Sequence, residues 1–384
     1  MISKKKAIIY AIVLVVVTAL FTSTFQLALG NKVVVSKSVY EGYQKYNKLL
    51  GLEGLVKEDF YQKPSDDKLV NGAIKGMFSG LDDPYSQYYT KSEFEKLKEQ
   101  TSGSYVGIGV YISPEAEDGL ITIIAPMEGS SAERSGIKAG DKIVKVDGKA
   151  VSSSNSDEAI GMIKGKEGTE VVLTIKRDGT ESDIKVKREE IVAHTIESKV
   201  MDNNIGYIKM TSFNENTYDD FKVALDDLKS QGIKALALDL RGNGGGLLDI
   251  CKDIADELIG EGTIVYTKDN KGNTEYLKSG KGKLGLPIAV LINEGSASAS
   301  EILTAAIVDN GEGIAVGTTS FGKGLVQSVR ELKDGTGYKL TTAQYFTPNG
   351  DYINGKGIEP DIKEEDEEKQ LDVALKWLEE QMNK

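Results

Sequence analysis

Two residue types set well apart in this chain could do chemistry together. One is the serine cluster of Gly295-Ser-Ala-Ser-Ala-Ser-Glu301, with Ser298 at its middle; the other is Lys323 in Thr319-Ser-Phe-Gly-Lys-Gly-Leu-Val-Gln327. A serine hydroxyl is a weak nucleophile unless a base sits beside it. The chain holds a single histidine, His194, so a lysine becomes a base to consider. The setting of the serines favours such a use. Ile288 to Ile292 is a short, β-branched apolar run that predicts a buried strand, and Glu301 to Val308 predicts a helix. A sharp strand-to-helix turn exposes a side chain at the sheet edge and aims the first N–H groups of the helix at an anion. Close helix packing by small residues is the plain structural alternative for the same run.

The surroundings of Lys323 nearly spell two other motifs. Gly317-Thr-Thr-Ser-Phe-Gly-Lys-Gly324 approaches the phosphate loop G-x-x-x-x-G-K-[ST], but Gly324 stands where a magnesium-binding hydroxyl is required. Ser320-Phe-Gly-Lys323 fits S-x-x-K, yet neither S-D-N nor K-T-G accompanies it, and Gly322 disfavours a helical turn between the two. The glycine run Arg241-Gly-Asn-Gly-Gly-Gly246 fails G-x-G-x-x-G because Leu247 fills the last position. It follows the strand-like Ala235 to Leu240, and an oxyanion hole suits it better: each backbone N–H aimed at a developing negative charge contributes about 3 kcal/mol. Cys251 is the single cysteine, which excludes an internal disulfide, and no Cys/His cluster has metal-ligand spacing. Neither a metal nor another cofactor is expected. Cys251 and His194 read as structural residues, and Glu301 as a helix-start acid favoured by the dipole.

The elements that must position these groups occupy a chain of 384 residues, long enough for two or three domains, with a net charge of -12 that argues against nucleic acid as a partner. Residues 1–30 carry Lys4-Lys5-Lys6 before the apolar Ala7 to Phe21; about 20 residues cross a bilayer, and Ala28-Leu-Gly30 is a poor A-x-A cleavage site. The segment therefore reads as an uncleaved signal-anchor with its lysines inside and the rest of the chain outside the cytoplasm. Residues 31–96 read as helical, with Val33, Val34, Val39, Tyr43, Tyr46 and Leu50 on one helix and Asp66 to Phe78 on a second. A turn follows at Leu81-Asp-Asp-Pro84, then Tyr85, Tyr88 and Tyr89, an aromatic cluster that reads as core or as a contact with a partner subunit. Residues 97–188 read as a β-domain with short helices, its hairpins marked by Asp147-Gly148 and Asp178-Gly179. Residues 189–384 alternate strands with helices, which implies a largely parallel sheet, and end on a helix from Leu371 to Met382.

The β-domain resembles a PDZ domain. Tyr105-Val-Gly-Ile-Gly-Val-Tyr111 and the series Ala132, Gly136-Ile137, Gly140-Asp141 and Val146-Asp-Gly148 carry that likeness. It implies that an extended peptide adds as a strand beside the loop Gly107, Ile108 and Gly109, whose amides receive a C-terminal carboxylate. The wider chain resembles the carboxyl-terminal processing proteases, also called tail-specific proteases. That likeness rests on Gly72-Ala-Ile-Lys-Gly-Met77, Leu81-Asp-Asp-Pro-Tyr-Ser86, Asp239-Leu-Arg-Gly-Asn-Gly-Gly-Gly246, Gly295 to Glu301, Phe321-Gly-Lys-Gly-Leu-Val-Gln327, Thr347-Pro-Asn-Gly350 and Gly357-Ile-Glu-Pro-Asp361, in that order. The resemblance implies a multidomain α/β protein with a ClpP/crotonase-like protease core. It also implies Ser298 as nucleophile, Lys323 as general base, Gln327 as the residue that orients the lysine, and the amides of Gly246 and Ala299 as oxyanion donors. The expected partners are protein or peptide substrates with free, apolar C-termini, the membrane through the N-terminal segment, and a second copy of the chain. A non-catalytic PDZ scaffold is the alternative from another class.

Overall fold

The computed structural model describes residues 3–29, 35–113, 118–280 and 282–384. The chain divides into two compact units, Met1–Ile74 and Lys75–Lys384. Gly30, which ends the candidate cleavage site, and Val33 and Val34 of the first expected helix lie outside the described residues.

The first unit is helical. Helix α1, Lys4–Leu29, carries no charge after its three lysines, and its Lys4–Thr22 stretch is long and apolar enough to cross a membrane. Helix α2, Lys37–Asp59, starts at Ser36, whose Oγ accepts the Val39 N–H at 3.4 Å. None of its residues is buried, although Val39, Tyr43, Tyr46 and Leu50 are large and apolar. Helix α3, Asp66–Ser79, in which the division between the units falls, begins with Asp66 and Asp67, which suit the positive end of the helix dipole.

Beyond the end of α3, the second unit contains an element that the helical expectation for 31–96 did not include. Strand β1, Gln87–Tyr89, is only three residues long, too short to show a period, and it pairs antiparallel with residues 337–339 far along the chain. The pairing buries Tyr88 and Tyr89. Helix α4, Lys91–Ser102, follows; Glu93 accepts both the Thr90 N–H and its hydroxyl at 2.8 and 2.9 Å, and Gly103 ends the helix at φ 72°.

The β-domain contains β2 (Ser104–Gly107), β3 (Val110–Ser113), β4 (Ile121–Pro126), α5 (Ser131–Arg134), β5 (Lys142–Val146), β6 (Lys149–Ala150), α6 (Ser156–Ile163), β7 (Glu170–Arg177), β8 (Thr180–Lys187) and β9 (Glu189–Val192). One antiparallel sheet runs β3-β4-β5-β7-β8 with β6 beside β5, and β2 pairs with β9. Alternate residues such as Ile121, Ile123, Val171, Leu173 and Ile175 point inward and share a core with Ile108 and Ala132. Both Asp-Gly pairs turn with positive φ at each residue, 48° and 77° at Asp147-Gly148 and 50° and 82° at Asp178-Gly179, the geometry of tight hairpins.

The remaining chain supplies β10 (Ile196–Met201), β11 (Ile205–Met210), α7 (Thr217–Ser230), β12 (Ala235–Asp239), α8 (Leu248–Leu258), β13 (Gly262–Asp269), β14 (Thr274–Ser279), β15 (Ile288–Ile292), α9 (Ala299–Asp309), β16 (Gly313–Gly317), β17 (Leu325–Glu331), β18 (Gly337–Phe346), β19 (Ile362–Lys363) and α10 (Glu367–Met382). A six-stranded sheet runs β10-β11-β12-β15-β16-β19, parallel from β11 onward. Every residue of β12 and β15 is buried because helices cover both faces. Leu236 and Leu238 pack with Leu225, Ile254 and Leu303 of α7, α8 and α9, whereas Ala235 and Ala237 share the other core with Ala374 and Leu378 of α10. Helix α10 begins four residues before the expected Leu371, where Asp366 caps it by accepting the Glu368 N–H at 3.2 Å. A second, antiparallel sheet joins β1, β18, β13 and β14, with β17 also on β18.

Candidate active site

Strands β12 and β15 are parallel neighbours, so the loops after them leave the sheet at the same edge. The loop after β15 places Ser298 at the N-cap of α9 with φ 55° and ψ -111°. A serine in that region is strained, and the turn holds only if its neighbours over-determine it. The flanking serines do so: Ser296 Oγ donates to Leu240 O and Ser300 Oγ to Asn243 O, each at 2.8 Å, while the Ala297 N–H donates to Asn243 O at 3.0 Å. Ser296 and Ser300 are fully buried by this work, and Ser298 alone of the three keeps exposed surface. Asn243 is locked in turn, its amide donating to Met210 O and its Oδ1 accepting the Gly245 N–H. The glycine loop after β12 and the serine turn after β15 are thus one hydrogen-bonded block.

Glycine is required where these loops touch. A Cβ on Gly245, at φ 95°, would lie 2.6 Å from Ala297 O and 2.9 Å from Ala299 N; one on Gly246, at φ 153°, would lie 2.2 Å from Phe213 O. Phe213 accepts the Leu247 N–H at 2.8 Å and donates to Gly245 O at 3.1 Å, which fixes the loop on both sides of Gly246. Among the described residues, neither the Gly246 nor the Ala299 N–H donates a hydrogen bond within the protein. Ala299 opens α9, where N–H groups lack intrahelical partners, so both donors remain open for an anion.

Lys323 reaches this block through Glu301. The Glu301 carboxylate is 1% exposed and accepts from Ser298 N at 2.8 Å, Ser320 Oγ at 2.6 Å, Gly322 N at 2.7 Å and Lys323 N at 2.9 Å. One buried side chain therefore ties the Ser298 turn to the segment carrying the lysine. Buried Tyr345 of β18 adds a second tie, its hydroxyl bonded to Lys323 O and 3.3 Å from Ser298 O. Burial pushes the Tyr345 hydroxyl well above its usual pKa, with the Glu301 charge adding to it, so the group stays a donor. The half-buried Lys323 ammonium is pushed below the ordinary lysine value by burial first and by Lys339 second, against the pull of Glu301 and Asp83. Its Nζ stands 4.8 Å from the centroid of the Tyr85 ring.

Gln327, on β17, donates from its amide nitrogen to Leu325 O at 3.2 Å and Thr341 Oγ1 at 3.3 Å, and no hydrogen bond joins it to Lys323 in this state. The near-phosphate loop from Gly317 runs into strand β17 and not into a helix, and the Ser320 hydroxyl is committed to Glu301. His194 is exposed, with Nδ1 3.5 Å from Asp220. Cys251 is buried under α9, its thiol bonded to Ala299 O at 3.3 Å and driven far up in pKa by burial. Tyr345 is the site residue that the sequence did not single out, while Glu301 reads there only as a helix-start acid and Tyr85 only as part of a core or partner-facing aromatic cluster. For Glu301 the tie to Ser298 carried a local signal, since Ser298-Ala-Ser-Glu301 fits the S-x-x-E capping pattern.

In the β-domain, Gly107, Ile108, Gly109 and Val110 line a narrow groove of about 140 Å³ with Tyr105 and α6 residues Ile160 and Ile163. Ile108 turns its side chain into the core and leaves its backbone to the groove. The loop is pinned from behind: Ala132 N donates to Ile108 O at 2.9 Å and Ser130 Oγ to Gly109 O at 3.0 Å. The N–H groups of Ile108 and Gly109 have no partner among the described residues.

Three family models match this chain: peptidase family S41 over residues 204–364, the PDZ domain over 106–187, and the activating protease CtpB N-terminal domain over 15–93. The chain is 42% identical over 357 residues to the carboxy-terminal processing protease CtpA of Bacillus subtilis, covering 92% of this chain and 76% of that one. It is 40% identical over 320 residues to a Staphylococcus aureus protein named "Probable CtpA-like serine protease", covering 82% and 64%. Among solved structures it resembles the photosystem II D1 C-terminal processing protease, with a TM-score of 0.51 and 28% identity over 87% of this chain and 94% of that one. A site built on a serine turn, a PDZ domain ahead of it and this identity across nearly the whole length lead to one assignment: the chain belongs to the carboxy-terminal processing serine proteases of peptidase family S41.

Proposed function

We propose that the chain is an extracytoplasmic, membrane-anchored endopeptidase that takes the free C-terminus of a protein substrate on its PDZ loop and cleaves peptide bonds with a Ser298–Lys323 dyad. The observation that carries this reading is the Glu301 carboxylate, which binds the backbone of both dyad residues beside the unpartnered N–H groups of Gly246 and Ala299. In the reaction, neutral Lys323 takes the hydroxyl proton as Ser298 Oγ attacks the scissile carbonyl. The oxyanion so formed lies against the Gly246 and Ala299 N–H groups, whose donors are already oriented. The lysine passes its proton to the leaving amine, and a water molecule repeats the sequence to free the acyl-enzyme. Gln327 holds the amine once it has moved to the serine. The apolar groove beside Gly107, Ile108 and Gly109 supports capture of an apolar C-terminus as an added strand. The lysine-flanked span of α1 supports an anchor whose basic end stays inside, and the exposed apolar residues of α2 support pairing of two copies.

Cleavage of an unstructured protein with an apolar free C-terminus, by the full chain in detergent micelles, tests this reading. The parent cleaves, Ser298→Ala and Lys323→Ala each lose about a thousandfold or more, and an amidated C-terminus slows the parent. A parent that binds the C-terminal peptide and cleaves nothing would establish the scaffold alternative.

A further inference from the structure

The Tyr85 ring beneath Lys323 is not a passing surface contact. Asp83 Oδ1 accepts the Tyr85 N–H at 3.0 Å and Asp83 Oδ2 accepts the Ser86 hydroxyl at 2.5 Å. Ser86 Oγ in turn accepts the N–H of Thr341, on β18, at 2.9 Å, and Ser86 is buried. The strand that follows, β1, is zipped onto β18 from Gln87 to Tyr89. The turn from Asp83 to Ser86 is therefore bolted to the sheet that also carries Gln327, and the ring has a fixed place. It lies within the stretch matched by the N-terminal domain model, outside the stretch matched by the peptidase model.

An aromatic face attracts an ammonium and offers a neutral amine far less. The groups that face Lys323 are Asp83 and Tyr85 from this turn, Glu301 from α9, and Lys339 and Tyr345 from β18. Asp83, Glu301 and the ring favour the charged lysine; burial and Lys339 oppose it. Asp83 keeps its own charge against burial through the hydrogen bonds from Ser86, Thr341 and Tyr85. Among the described residues, the Lys323 Nζ makes no hydrogen bond to Ser298 or Gln327 while it rests on the ring.

We propose that Tyr85, anchored by Asp83, is a positioning residue for the reaction: its ring face competes with Ser298 for the Lys323 side chain and so forms a resting seat for the base. The proposal rests on Lys323 being the base. A stronger face lengthens the stay in the seat and a missing face abolishes it.

The test is labelling of the full chain in detergent with a small fluorophosphonate, which reads activation of Ser298 without the PDZ groove, followed across pH for the parent, Tyr85→Phe, Tyr85→Leu and Tyr85→Trp. Tyr85→Phe keeps the face and overlays the parent. Tyr85→Leu moves the rising limb about 0.5 to 1 unit lower and speeds labelling several-fold below the parent's limb, and Tyr85→Trp moves it the other way. Because the two shifts are opposite, the Trp variant decides the matter if the Leu variant proves unfolded by its melting curve. Superimposable limbs in all folded variants overturn the seat. Lys323→Ala that still labels at the parent's rate overturns the dyad itself, a different result from a dyad that works without the seat.

Discussion

The two halves of the proposed Ser298–Lys323 site are held by different means. Ser298 is fixed through the backbone: a positive-φ turn, a glycine with no room for a Cβ, and two buried serine hydroxyls clamp it from both sides. Lys323 is fixed only as far as its peptide group, by Glu301 and Tyr345, while its side chain rests against an aromatic face. The difference follows from what each must do. In the proposed reaction the nucleophile forms a covalent bond in register with two oxyanion donors, where a 1 Å error is costly. The proposed base would change protonation and partner within one turnover, and a side chain held by weak, non-directional contacts does so without disturbing the fold.

The strongest way to break this comparison is at Gly245. Alanine there would meet Ala297 O at 2.6 Å at a φ that L residues rarely adopt, so the block must open. The expected loss in kcat/KM is about 10²- to 10³-fold, the size of a lost oxyanion donor, with a lower melting temperature. Peptidase kinetics at the parent rate would show that the nucleophile half is not rigid. Glu301→Gln comes next, because it strikes the link between the halves. An amide can meet only some of the four donors, and its NH₂ faces N–H groups; the expected cost is about 2 kcal/mol of stability with activity down roughly 10- to 100-fold, read by chemical denaturation and cleavage rate. Ser298→Gly separates strain from chemistry. It removes the proposed nucleophile and is expected to abolish cleavage, yet relief of the φ 55° backbone raises stability by about 1 kcal/mol. A melting temperature unchanged or lowered would argue that the turn stores no strain.

The same contrast explains how much could be read from the sequence. The serine turn, the glycine loop and the Asp-Gly hairpins are local devices: each requirement is met by residues within a few positions, so each leaves a motif. Glu301 shows the limit. Its capping role toward Ser298 is written in four consecutive residues, but its bonds to Ser320, Gly322 and Lys323 depend on how β16 and β17 return to the sheet edge. Tyr345 and Tyr85 meet the lysine from β18 and from the turn before β1. The turn of Tyr85 is marked by Leu81-Asp-Asp-Pro84, but nothing near either residue points to a lysine that lies more than two hundred positions from Tyr85 and reaches Tyr345 only through the pairing of β17 with β18. Strand β1 was missed for a related reason, since its three residues gain their structure only from β18. The middle serine could be chosen only by resemblance; burial of Ser296 and Ser300 supplies the physical distinction.

The smallest expected effect sharpens the base half. The proposed dyad needs the neutral amine, so cleavage by the parent is expected to rise with pH as Lys323 loses its proton, and because burial lowers its pKa the rise is expected below the ordinary lysine range of about 10.4. Lys339, on β18, contributes to that lowering through like-charge repulsion. Lys339→Ala removes a positive neighbour, makes the ammonium easier to keep, and moves the limb upward. The shift should be about 0.3 unit, since the two ammonium groups interact partly through solvent, and it should shrink in high salt. Maximal rate on the high-pH plateau stays unchanged, because there the lysine is neutral in either chain. A limb that moves downward, or a plateau that falls with it, would mean that Lys339 acts on substrate or on the fold. A limb that moves upward while the Ser298 turn stays as it is would show that the base half can be tuned from a distance by charge alone, an adjustment for which the clamped nucleophile half has no counterpart.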